Sequence, residues 1–558
     1  MVRFRLLAAG TVFLLTAALT FAAPPATAVS SGATTSTIIT KTNPTDRTYP
    51  GGRGENDLVL YTPDSGSTST GTNPYGAESV VRAGVVVSID GNDSPIPADG
   101  FVVSGHGEGA EWVLDCMPVG AEVSVKGKRV LARITPQSLV YQAEQLLAKS
   151  PKPEGDAATS AALARELVSK ASAALAAGTK EADARPMLDE AVVLARAVSY
   201  AAVASPTTEG RALWLRLDRD NPKSAHQAVE SARALNANML FPETIYWSRT
   251  INPPVEADSM PQHKGHRGTD PLRTMIDEGH AHGIEIHAWC EIFFIGPPKI
   301  QDGEPSLLTM HPEWLALDRL GRRNANTEEN FFYVCPARPE VHEFLLRQLE
   351  GLAKAYELDG VQLDYIRYPG AVTPDDGFCY CDYCRKTFKA EAGADPRKLD
   401  PKRDKELWAR WNTWREDRVT SFVQAAHSRL HAARPGIVVS AAVVPDPEES
   451  VTGKHQNWLR WSQKGWLDLV CTMAYRPDAK GVENVTREAL EIIGQKPPIM
   501  VGLGPFLGFS ADRLIEQIEA SRAAGTVGQA LFSENALTPE QRNALSTGPW
   551  KNKAKTGL

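Results

Sequence analysis

A chain of 558 residues with 42% hydrophobic content is long enough for roughly two to four domains with real cores. Its 60 basic and 67 acidic side chains leave a net charge of −7, which argues against nucleic acid or an anionic membrane as the main partner.

In chain order, Arg3 and Arg5 precede a mostly apolar run from Leu6 to Ala23 and then the small residues Ala26-Thr27-Ala28. This pattern predicts a signal peptide over residues 1–28, cut before Val29, and so an exported protein with no stable membrane insertion afterwards. The run is barely long enough to span a bilayer, so an uncleaved anchor is the alternative; no later segment is apolar enough to cross. Residues 29–55, rich in Ser, Thr, Gly, Pro and Asn, read as an extended linker. Over 56–135 short apolar runs separated by turns predict a β-rich accessory domain. His106, between glycines, is expected there in a loop, serving binding or support and not catalysis. Residues 136–205, rich in Ala, Leu and Glu and broken near Gly178, predict a helical hairpin connector.

From Arg211 apolar strands alternate with helical segments. The strands are ALWLRLD (212–218), NMLFPETI (238–245), IEIHAWCEIFF (284–294), VQLDYIRY (361–368), IVVSAAVVP (437–445), LDLVCTMAY (467–475), IMVGLGPF (499–506) and QALFSEN (529–535). Eight such strands with helices between them predict an α/β fold, a closed (β/α)8 TIM barrel over 211–545, with 546–558 as a C-terminal tail. An open doubly wound sheet is the alternative, but no G-x-G-x-x-G or P-loop follows the first strand.

In a barrel the catalytic face is the carboxyl end of the strands. Reading along it gives Arg216 and Asp218, then Glu243, Tyr246 and Trp247, then Trp289 and Glu291, then Asp364, Tyr365 and Arg367. Asp446 and Glu448, Tyr475 and Arg476, and Glu534 and Asn535 follow, while the seventh strand ends in GLGPFLG without a carboxylate. Carboxylates mixed with Trp and Tyr suit carbohydrate, since aromatic faces stack on sugar rings and carboxylates supply acid, base or nucleophile. Asp364 with Glu291 on the adjacent strand is the expected catalytic pair, Arg367 helping to hold the ionised member. The other rim residues, Arg216, Asp218, Glu243, Trp247, Trp289, Tyr365, Arg367, Asp446, Tyr475, Arg476 and Glu534, are expected around the substrate. An Asp364–Arg367 pair that merely caps the strand is the plainer alternative.

Three of the seven cysteines form Cys379-x-Cys381-x-x-Cys384, and Cys335 lies just before the helix leading into the fourth strand. That spacing suits a structural four-thiolate zinc site; disulfides, which export favours, are the alternative. Cys116, Cys290 and Cys471 read as buried free thiols.

The phrases DPLRTMIDEGHAHGIEIHAWCEIFF, HPEWLALD, LDGVQLDYIRYPG, MAYRPD and ALFSEN resemble the family-10-like glycosyl hydrolases, exported TIM-barrel proteins, over the whole barrel. The resemblance implies hydrolysis of glycosidic bonds in a cell-wall or extracellular polysaccharide. A non-catalytic carbohydrate-binding protein on a hydrolase-like barrel is the competing reading. DGVQLDYI is also similar to the acidic phrase of family 18 chitinases, but Gln362 and Ile366 stand where that phrase has acids. CPARPEV and CYCDYCRKTF resemble the cysteine zinc motif of family 42 β-galactosidases, whose two catalytic glutamates have no counterpart here. The β-rich stretch, in LVLYTPDSG, TGTNPYGAE and ADGFVVSGHG, resembles pieces that accompany phosphodiester-glycosidase and exopolysaccharide proteins.

Overall fold

The computed structural model describes residues 34–46, 56–71, 76–90, 93–218, 221, 223–256, 258–476, 478–494 and 496–558. The expected signal peptide and much of the expected linker lie outside the described residues. The sheet starts earlier than expected, however. Thr34–Ile38 pairs antiparallel with Arg129–Arg133, and Lys41–Thr42 pairs parallel with Leu58–Tyr61. These strands edge an eight-stranded sheet whose apolar face, including Leu58, Val81, Val103 and Val130, packs on a short helix, Glu108–Cys116. His106 is buried as the last residue of the strand Gly100–His106 and not in a loop, because its backbone pairs with Gly76.

The connector holds three helices, Pro136–Ala148, Gly155–Ala176 and Glu181–Ala202, so a helix precedes the expected hairpin. Ala143, Ala161, Ala164, Ala171, Ala184, Ala191 and Ala195 are buried between them, small side chains that let the helix backbones approach. The third helix docks on the barrel helix Ala511–Ala524: Tyr200 donates to Asp512 at 2.7 Å and Arg196 pairs with its other oxygen at 3.0 Å.

The barrel strands are Gly210–Leu215, Met239–Tyr246, Glu285–Glu291, Gly360–Asp364, Val438–Val443, Leu469–Met473, Ile499–Leu503 and Gly528–Phe532. Neighbours pair in parallel, and the eighth closes on the first through Gly528↔Gly210 to Phe532↔Trp214. This is the expected (β/α)8 barrel. The C-terminal segment is not a loose tail: Trp550 is fully buried, and Asn238 donates to the Ala554 carbonyl at 2.9 Å beneath the strands. Arg211, also buried, donates to Glu209 at 3.0 Å and to the Asn552 carbonyl, while Arg522 pairs with Glu209 at 2.7 Å. Buried charges at this floor are thus neutralised and bonded.

Candidate active site

Side chains alternate along a strand, so residues two apart share a face. In this barrel the inward set includes Trp214, Phe241, Trp289, Cys471, Met500 and Ala530, which pack together as an apolar plug. Gln362 joins it by accepting from the Trp214 indole. Two residues further on, toward the carboxyl ends, the same faces carry Arg216, Glu243, Glu291 and Asp364. Register brings Glu291 level with Asp364 on the adjacent strand, while Glu243 lies opposite Trp289. A polar layer therefore sits directly on an aromatic floor, an arrangement that excludes water from beneath the carboxylates.

Each member has a different environment. Glu243 is forked by Arg216, whose Nη2 donates at 2.7 Å and whose Nε meets the second oxygen. The guanidinium also lies 5.4 Å from the Trp289 ring centroid. Burial works against the Arg216 charge, but Glu243 outweighs it and holds the guanidinium protonated above its ordinary range. Asp364 accepts from the Trp289 indole at 2.9 Å and from the Tyr365 amide at 2.6 Å. Burial pushes its carboxyl up from 3.8 to about 6, against the pull of those hydrogen bonds and of Arg367.

Glu291 is 1% exposed. One oxygen accepts from the Trp247 amide at 2.7 Å; the other, Oε1, has no hydrogen-bond partner among the described residues. Burial first, and then the negative charge of Glu243, raise its carboxyl well above the ordinary range, and Arg216 pulls back less. The amides serving these two carboxylates belong to Trp247 and Tyr365, with φ of 49° and 46°. A left-handed backbone at a bulky non-glycine residue costs on the order of 1–3 kcal/mol and clusters at functional sites. Tyr475, half-buried at the sixth strand's end, packs its ring 5.2 Å from Phe506 and 5.7 Å from Phe532, forming an aromatic wall.

Arg367 does not pair with Asp364 as expected. It donates to Glu328 at 3.0 Å and covers the Tyr365 ring at 4.8 Å, which in turn stacks on Phe294 at 4.4 Å. Glu328, which the strand pattern never suggested, also receives Lys454 at 2.6 Å, the Gly370 amide at 2.8 Å and the Tyr333 hydroxyl. Burial would raise this carboxyl, but Arg367 and Lys454 together hold it far below the ordinary range.

Other expected rim residues do different work. Asp446 caps the helix Pro447–Lys454, accepting from the amides of Glu448 and Glu449 at 2.9 and 3.0 Å. Glu534 turns outward to Arg542 and Ser231, each at 2.6 Å, tying two outer helices. Asp218 is exposed, and its carbonyl accepts from Ser224. The Arg476 carbonyl accepts from Gln517, and its side chain is half-buried beside Gly481.

Cys335, Cys379, Cys381 and Cys384 meet as four buried, unoxidised cysteines with their sulfurs all within 4.8 Å. Three sulfur–sulfur separations are 3.3, 3.6 and 3.7 Å. Sulfurs ~2.3 Å from one tetrahedral ion would lie about 3.8 Å apart, so the donor set fits a thiophilic metal. Cys116, Cys290 and Cys471 are buried and unpaired, as expected.

Known proteins are similar to parts of this chain. Glycosyl hydrolase YngK of Bacillus subtilis (strain 168) is 24% identical over 228 residues, 37% of this chain and 39% of the relative. Glycosyl hydrolase DigH of Escherichia coli (strain K12) is 24% identical over 238 residues, 38% of this chain and 47% of the relative. The chain therefore spans less than half the length of these curated relatives. Among solved structures, the PgaB (BpsB) glycoside hydrolase domain from Bordetella bronchiseptica covers 61% of this chain and 99% of its own, with 15% identity and a TM-score of 0.47. The family model described as glycosyl hydrolase-like 10 matches residues 210–517, more than half of the sequence, and the chain belongs to that family.

Proposed function

We propose that the protein is an exported glycoside hydrolase acting on a cell-wall or extracellular polysaccharide through Asp364 and Glu291. The observation that carries the reading is the pair of level, buried carboxyls with raised proton affinity on an aromatic floor. Glycosidic cleavage needs one carboxyl protonated and one ionised. Burial and the charge of Glu243 raise the proton affinity of Glu291, as suits the acid, and its buried Oε1 spends no hydrogen bond on the protein. Asp364, with a value of about 6, is ionised at pH 7 and held in place by two donors, as suits a nucleophile or base. Beside Glu291, the charge of Glu243 favours the protonated form and the Arg216 guanidinium opposes it less. Tyr475 offers an aromatic face for sugar, while Trp289, buried in the floor, holds Asp364. Export rests on the leader read over residues 1–28.

Reducing-end release from a panel of cell-wall polysaccharides tests the activity. Asp364→Asn should lower turnover by ~10²-fold or more while the protein stays folded. Near-wild-type turnover in that variant would remove Asp364 from the mechanism. Because the seventh strand ends at Gly502, Leu503 and Gly504, a purely carbohydrate-binding barrel is the second reading. Saturable glycan binding with no product from any substrate would favour it.

The four cysteines fit zinc, which when bound would supply a closed structural cross-link and no reaction step, since all four positions belong to the protein. It would pin the loop after the fourth strand to Cys335. Metal analysis should return about one zinc per chain, and Cys384→Ser should cost several kcal/mol, because metal binding is coupled to folding. Disulfides among these residues in a zinc-free protein would reject the site.

A further inference from the structure

At the opposite end of the barrel, His427 and His431 stand four residues apart on the helix Lys405–Ala433, so both imidazoles leave the same face. Their ring centroids are 4.3 Å apart. Asp468, one residue before the sixth barrel strand, faces both rings. Its Oδ2 is 3.0 Å from His431 Nε2, and its Oδ1 is 4.0 Å from His427 Nε2. A ligand atom from each of the three lies within 4.8 Å of the other two. The carboxylate is fixed, because Oδ2 also accepts from the Val439 amide at 2.8 Å. All three side chains are partly exposed, so an ion can reach them from solvent.

A plain helix-to-strand tie explains His431, which already bonds Asp468. It does not explain His427, which lies beyond hydrogen-bond reach of the same carboxylate yet turns its ring nitrogen toward it. We propose that His427, His431 and Asp468 form a binding site for a divalent transition metal of the zinc class. Two imidazoles and a carboxylate select such ions over magnesium and calcium, which prefer all-oxygen shells. Two donors ~2.1 Å from one ion lie at most about 4.2 Å apart, so a small shift of the partly exposed His427 ring closes the site. Three protein donors leave at least one position for water or an outside ligand, unlike the closed cysteine cluster. The site lies at the amino ends of the strands, away from Glu291 and Asp364. It would clamp the long helix to the foot of the sixth strand and take no part in glycoside cleavage.

Calorimetric titration of zinc chloride into the full chain, with the cysteine cluster already metal-loaded, tests the site. The wild type should take up one further equivalent, unaffected by excess magnesium or calcium. His427→Gln keeps the His431–Asp468 hydrogen bond, so the helix tie survives and any change reports the metal. That variant should bind the additional zinc at least tenfold more weakly, and His427→Gln/His431→Gln should not bind it, while both retain wild-type circular dichroism and turnover. Equal uptake of the additional zinc by the wild type and His427→Gln, or no additional uptake by the wild type, overturns the proposal.

Discussion

Glu328 and Glu291 are buried glutamates at one rim of one barrel, and their surroundings treat them in opposite ways. Glu328, in the loop before the fourth barrel strand, collects Arg367, Lys454, a tyrosine hydroxyl and an amide, and its carboxyl is held far below the ordinary range. Glu291, at the end of the third strand, receives one amide, keeps one bare oxygen and is raised well above that range. Burial is common to both, so burial alone does not set a carboxyl's proton affinity. What differs is how many donors and cations compensate it. A fully caged carboxylate is held ionised, whereas an under-compensated one binds its proton more tightly.

The largest expected effect comes from opening the cage. Glu328→Gln leaves Arg367 and Lys454 buried without their counter-charge, and should cost about 3–5 kcal/mol of stability in urea unfolding. A loss below about 1 kcal/mol would mean that the two cations find other partners, and the contrast with Glu291 would fail.

A middle-sized effect concerns pH. Asp364 binds its proton more tightly folded than unfolded, because burial lifts it from 3.8 to about 6. Its contribution to stability is therefore present below about pH 4 and lost as pH rises through about 6, on the order of 3 kcal/mol. Glu328 has the reverse sign: its contribution is present at neutral pH and lost as acid titrates the carboxylate. Asp364→Asn should flatten the stability profile between about pH 4 and 7 and leave the variant more stable than wild type at neutral pH. Profiles of equal slope for variant and wild type would show that the fold does not penalise the ionised carboxylate.

The smallest effect extends the contrast to a third rim acid. Asp446→Ala should remove a helix cap and cost about 1 kcal/mol, with KM for any glycan the protein turns over unchanged. A raised KM at unchanged stability would return Asp446 to the substrate.

The barrel was legible because each strand is a short apolar run between helical segments, and period-2 alternation alone puts Arg216, Glu243, Glu291 and Asp364 on the inward face. The same reasoning overreached at Asp446 and Glu534. Strand ends are also where helices begin, and an acid there serves as a cap or a helix tie as readily as a ligand for sugar. Glu328 carried no signal, since it lies in the loop sequence N-T-E-E-N, outside any periodic element. The Trp247 amide carried none either, because its role depends on a left-handed backbone that side-chain identity does not announce. Thr34–Ile38 was taken for linker because its Thr and Ser side chains suit an edge strand with one exposed and one half-buried face as well as they suit coil.

The seam between the first and last barrel strands has a consequence for how the chain is made. Gly210–Leu215 must pair with Gly528–Phe532, and its lower end is held by carbonyls from Asn552 and Ala554 through Arg211 and Asn238. More than 300 residues separate those strands. At roughly 5–20 residues per second of synthesis, the first strand waits tens of seconds for its partner while the β-rich module and the helical connector can already fold. During that wait it presents an apolar edge that the finished barrel hides completely. That interval, and not the stability of the completed fold, is when the polypeptide is most open to mispairing.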